Sequence, residues 1–135
     1  MIVSLFVLDA SALLTLIEDE NGADRVEKIF REGSFVLPWV GLLEVHHVTL
    51  LERDEDEAER RLALLTQSGG TLVWEVDEAV LRAASGFKAR HQLSFADALT
   101  AAYAATRGAT LVHKDPELEA LQGEIELEAL PDKRR

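Results

Sequence analysis

The 135-residue chain carries 47% hydrophobic and 29% charged residues, a balance that excludes a disordered polymer and suits one folded domain spanning 1–135. It has no cysteine, which excludes disulfide staples, thiolate catalysis and zinc ribbons, so any metal must be held by oxygen or imidazole. A formal net charge of −11 argues against a general polyanion-binding surface, but the charge is uneven: Arg82, Lys88, Arg90, Arg107 and Lys114 face only Asp97 between residues 82 and 114, a net +4 that leaves −15 elsewhere. No apolar run reaches the length of a membrane span, and the first residues lack the basic and cleavage-site features of a secretory signal. A cytoplasmic protein without membrane association is therefore expected.

Ile2 to Leu8 is a nearly unbroken apolar run, β-branched at Ile2, Val3 and Val7, the pattern of a central strand covered on both faces. From Ala10 the spacing becomes helical, with Leu13, Leu14 and Ile17 on one side. A second helix carries Val26, Ile29 and Phe30 and stops at Gly33. Phe35 to Leu37 reads as the second strand, ended by Pro38. Val40 to Arg53 reads as a helix, and its partner, with Ala58, Leu62 and Leu65, ends at Gly69-Gly70. Thr71 to Val76 is predicted as the third strand. Asp77 is placed to cap a helix carrying Val80, Ala84 and Phe87, and Ser94 to cap another running to Arg107 and closed by Gly108. Thr110 to Val112 is the fourth strand, Asp115-Pro116 begins a short helical turn, and Ile125 to Leu127 is a weak edge strand. Strands alternating with helices predict a three-layer α/β/α sandwich around a mostly parallel sheet of about five strands.

In open parallel sheets, ligands bind beyond the carboxyl ends of the strands. Asp9 lies just past strand one and Asp115 just past strand four, so both carboxylates are expected at that edge, with helix capping as the alternative role for each. Ser94-Phe95-Ala96-Asp97 has the form of a capping box with Asp in the acidic place, which leaves a local role and a ligand role open for Asp97. Glu44 sits among Leu42, Leu43 and Val45, with His47 and Val48 three and four positions on. An unpaired carboxylate there is costly and calls for a metal, a proton or a cation, a salt bridge to a distant Arg being the alternative. Four acids from separate elements, if they converge, suit one or two Mg²⁺ or Mn²⁺ ions, which prefer carboxylate and water oxygens. The chemistry such a cluster serves best is phosphodiester hydrolysis.

Phe6-Val-Leu-Asp-Ala-Ser-Ala-Leu-Leu14, Leu42-Leu-Glu-Val45, Leu93-Ser-Phe-Ala-Asp-Ala-Leu-Thr-Ala-Ala102 and Leu111-Val-His-Lys-Asp-Pro-Glu-Leu118 together resemble the PIN domain family, and within it the VapC-like toxins of toxin–antitoxin pairs. The third segment is the most specific. The resemblance implies a metal-dependent endoribonuclease with a five-stranded parallel sheet, in which Asp9, Glu44, Asp97 and Asp115 serve catalysis by holding Mg²⁺ or Mn²⁺. Ser11, Ser94 and His113 take supporting places. It also implies an RNA substrate, a homodimer and a small VapB-like antitoxin that blocks the cleft. The basic stretch then supplies Lys88, Arg90 and Lys114 as candidates for RNA phosphates. Trp39 and Trp74 are better read as core or dimer-interface residues than as base-stacking platforms. The pattern departs from the family at His113, where Thr or Ser is usual, at Leu118, where Phe is common, and before Glu44, where no hydroxyl residue stands. Two rival readings remain: a PIN-type module that binds RNA or protein without cutting, and a receiver-like phosphoacceptor. The complete acidic set speaks against the first, and the single Asp after strand one against the second.

Overall fold

Val7 and Leu8 are adjacent in sequence and enter different cores, as the period-two side chains of a strand buried on both faces must. Val36 and Leu37 divide in the same way, and so do Leu111 and Val112. A computed structural model describes residues 4–132. Its elements are β1 (Phe6–Leu8), α1 (Ala10–Ile17), α2 (Ala23–Glu32), β2 (Phe35–Pro38), α3 (Trp39–Glu52), α4 (Glu55–Thr66), β3 (Thr71–Val73), α5 (Glu78–Arg90), α6 (Phe95–Arg107), β4 (Thr110–His113), a 3-10 turn (Pro116–Leu121) and β5 (Leu127–Ala129).

The five strands run in the order β3-β2-β1-β4-β5, and every pairing is parallel. One core lies between Val7, Val36 and Leu111 and the helices α5 and α6, through Val80, Phe87, Leu99 and Tyr103. The other joins Leu8, Leu37 and Val112 to Leu13 of α1, Val26 and Ile29 of α2, and Leu42 and Val45 of α3. The predicted α/β/α sandwich is thus the fold observed. Tyr103 is fully buried because its hydroxyl is satisfied twice, accepting from Trp39 Nε1 and donating to the Glu75 carbonyl.

β2 and β4 each run one residue further than expected, to Pro38 and His113, and the other three strands differ more. The first strand is observed from Phe6, while Ile2 and Val3 lie outside the described residues. The third ends at Val73 rather than Val76 because β2, its one neighbour among the described residues, ends at Pro38, the partner of Val73; beyond that point Trp74 and Val76 are exposed. The fifth begins at Leu127, opposite Leu111, while Ile125 makes only a bridge to Gln122. The sheet order also separates this fold from a receiver-like doubly wound sheet, in which β1 lies between β2 and β3.

The helix caps follow the predicted residues. Asp77 accepts the Val80 N–H and Ser94 accepts the Asp97 N–H, while Gly108 closes α6 in the left-handed conformation. The Ser94 cap matters for the site because it sets the start of α6, whose first turn carries Asp97.

Candidate functional site

Asp9 leaves β1 at the sheet's carboxyl edge and caps α1, with Oδ1 accepting both the Ala12 N–H at 2.9 Å and the Ser11 hydroxyl at 2.7 Å. Ser11 Oγ in turn accepts the Lys114 backbone N–H at 2.8 Å, so one hydroxyl ties the end of β1 to the segment leaving β4. Capping and placement at the shared edge are therefore not rival roles for Asp9. Burial pushes its carboxyl up to about 6, against the lowering bonds from Ser11 and Ala12, and the Asp115 charge adds to the rise.

Asp115 leaves β4 and caps the 3-10 turn, its Oδ1 accepting the Glu117 N–H at 3.0 Å. Asp97 stands in the first turn of α6, and its N–H donates to Ser94 Oγ at 3.1 Å. The Asp97 carboxyl shares a hydrogen bond with the Asp115 side chain, so Ser94 supplies the cap while the acidic side chain serves the cleft. Two carboxylates are both acceptors, and a bond between them needs a proton, which belongs to the pair. Burial is the largest influence raising the Asp97 carboxyl, to about 8, followed by that bond and the charges of Asp115, Asp9 and Glu44.

Glu44 projects from α3, half-buried. Its carboxyl is raised first by burial and then by Asp115, against a lowering influence from His47. The four sequence-predicted acids therefore act on one another electrostatically. The tightest grouping, however, is Asp97, Asp115 and Glu117, each offering a carboxylate oxygen within 4.8 Å of the others. Glu117 was not among the expected residues. Its signal was weak, since an acid two positions after a cap ordinarily reads as a favourable first-turn charge. An all-oxygen donor set fits a hard divalent cation, and Asp97, Asp115 and Glu117 are the residues nearest to holding one jointly.

His113 is buried at the end of β4, with Nδ1 accepting the Asp115 N–H at 3.0 Å. The expected phosphate contacts have partners within the protein. Lys88 Nζ donates to the Leu93 carbonyl at 3.1 Å. Arg90 pairs with Glu124 at 2.8 Å and lies over the Phe87 ring. Lys114 Nζ donates to the Asn21 carbonyl at 2.8 Å and sits 3.6 Å from Glu20. Each of the three basic candidates is thus engaged by a partner within the protein. A groove of about 730 Å³ opens beside the site, lined by Ser11, Lys114 and Asp115 and by further acids that include Glu18, Glu52 and Glu119. Among the described residues, no helix is long and apolar enough to cross a membrane.

Comparison with known proteins agrees with the fold. A search of curated protein sequences gives no match. Among solved structures, VapBC2 of Rickettsia felis, bound to a DNA fragment from the promoter, aligns at a TM-score of 0.77 and 12% identity, covering 94% of this chain and 99% of that one. VapC20 of Mycobacterium tuberculosis, a sarcin–ricin loop cleaving toxin, aligns at 0.73 and 16%, covering 93% and 99%. PAE2754 of Pyrobaculum aerophilum aligns at 0.66 and 24%, covering 92% and 89%. The model of the PIN domain matches residues 6–124, a span that takes in β1, β4, the Asp9 cap, the Ser94-capped start of α6 and the Asp115 turn. With that match over most of its length, the chain belongs to the PIN domain family.

Proposed function

We propose that this PIN domain protein is a metal-dependent endoribonuclease and the toxin of a VapBC-type pair. The observation that carries the reading is the carboxylate cluster, in which Asp97, Asp115 and Glu117 bring carboxylate oxygens within 4.8 Å of one another, while burial and the neighbouring acids push the Asp97 carboxyl up. Asp9, Glu44, Asp97 and Asp115 would hold Mg²⁺ or Mn²⁺, with Glu117 as an added oxygen donor. A hard divalent cation there supplies the charge that activates an attacking water and steadies the leaving oxygen of a phosphodiester. The chain's own part is to hold the oxygens in place. Ser11 and Ala12 fix one oxygen of Asp9, and the Asp97–Asp115 pair gives up its shared proton when a cation takes that place.

RNA is the substrate in this reading. Phosphate contacts from Lys88, Arg90 or Lys114 would require each to exchange its present partner for RNA. A VapB-like antitoxin would act by covering the cleft, and the likeness to VapBC structures supports such a partner. Exposed Leu43, Leu50 and Trp74, which line one apolar hollow, support a homodimer through that face. The protein would work in the cytoplasm, where its RNA is found. The test is incubation of a mixed RNA pool with purified wild type and Asp97→Asn in EDTA, Mg²⁺ or Mn²⁺. Metal-dependent cleavage by wild type alone is expected. Equal cleavage by both proteins would trace the activity to a contaminant, and metal binding without cleavage would favour a PIN module that binds without cutting.

A further inference from the structure

The two ring nitrogens of His113 face different groups, and the ring is only 1% exposed. Nδ1 accepts the Asp115 backbone N–H, so it carries no proton, and the neutral ring is the Nε2–H tautomer. Nε2 lies 3.0 Å from Glu119 Oε2 at an angle that makes no hydrogen bond. On the other side of the residue, the His113 carbonyl accepts the Leu130 N–H at 2.7 Å, which anchors the strand end beneath the ring. The Asp115 N–H held by the ring belongs to the residue whose carboxylate holds the Glu117 N–H. One chain of bonds therefore runs from the imidazole through Asp115 to Glu117, the two acids that this turn brings to Asp97.

We infer that His113 is a positioning residue, whose Nδ1 acts through the Asp115 N–H to set the carboxylates of Asp115 and Glu117 against Asp97. The inference rests on the metal-site reading above. It assigns the work to one nitrogen, and two substitutions separate the nitrogens. His113→Asn keeps an acceptor near the place of Nδ1 and removes Nε2, whereas His113→Gln keeps a polar group near Nε2 and removes the Nδ1 acceptor. Mn²⁺ titration calorimetry should give His113→Asn an affinity near wild type and His113→Gln one weaker by on the order of 10-fold or more, at similar melting temperatures. Equal affinities in the two variants, high or low, would overturn the assignment. ¹⁵N NMR of the wild-type ring at neutral pH provides a readout independent of metal. The Nε2–H tautomer is expected, and Nδ1–H would overturn the inference even if His113→Gln failed to fold. If wild type binds no Mn²⁺, the nuclease reading falls. Slow exchange of the Asp115 amide in wild type and His113→Asn would then uphold the hold of His113 on the turn, and fast exchange would end it.

Discussion

Two regions of this protein gather carboxylates, and they treat them in opposite ways. Between α1, α3 and α4, Glu18 and Glu57 converge on Arg61, a guanidinium only 4% exposed that also reaches Thr49 Oγ1 at 3.2 Å. Hydrogen bonds from Arg60 and Arg61 hold the Glu57 carboxyl down at about 2. At the carboxyl edge of the sheet, no guanidinium among the described residues is paired with Asp9, Asp97, Asp115, Glu44 or Glu117, and Asp97 is pushed up to about 8. The residue types are the same, but one cluster is completed by the protein and the other, in the proposed reading, takes a cation from outside. The difference teaches that carboxylate density alone does not mark a site; the absence of an internal countercharge does.

The largest effect that would break this comparison is catalytic. Asp97→Asn should lower metal-dependent RNA cleavage by on the order of 1000-fold, because one oxygen donor is lost where the cation must act, and a cleavage time course would show it. Retained cleavage would remove the functional contrast between the clusters. Arg61→Met should lower the urea unfolding midpoint, since it strips Glu18 and Glu57 of their buried partner and leaves them only the exposed Arg53 and Arg60.

The pH dependence sharpens the same contrast. Asp9 and Asp97 bind protons more tightly in the folded state, at about 6 and about 8, than at the ordinary value of 3.8. Their contribution to stability is full below that ordinary value and is lost as pH rises through 6 and then 8. Metal-free wild type should therefore lose melting temperature between about pH 5.5 and about pH 8.5 more steeply than Asp97→Asn, which should be more stable at the upper pH by on the order of 1 kcal/mol. Parallel profiles would show that the carboxylates do not repel as described. The smallest effect is that of Ser11→Ala, expected to cost about 1 kcal/mol in the same unfolding assay through loss of the bonds to Asp9 and the Lys114 N–H.

Much of this was legible in the sequence because it depends on local chemistry. Period-two apolar residues at Val7-Leu8 and Leu111-Val112 mark buried strands, and Asp77, Ser94 and Gly108 mark helix ends by their own hydrogen-bonding and backbone preferences. Asp9 and Asp115 could be placed at one edge because each follows a parallel strand. What was not legible depends on partners distant in sequence. Charge at Arg90 or Lys114 does not reveal that Glu124 or the Asn21 carbonyl will engage it. Nor does Glu117 show, among so many acids, that the 3-10 turn will bring it to Asp97. Strand length at β3 was misjudged for a similar reason, because a ladder ends where its neighbour ends.

The pairing of β1 with β4 has a consequence for the order of synthesis. The central strand appears at Phe6, but one of its two neighbours begins only at Thr110, and the Asp115 turn follows that neighbour. A nascent chain can assemble the α1–β2–α3 region early, yet its acidic cleft exists only after nearly all the described residues have been made. A cleft built this way is absent until β4 and the Asp115 turn have been made, so any partner that reads it meets a chain whose central strands are already complete.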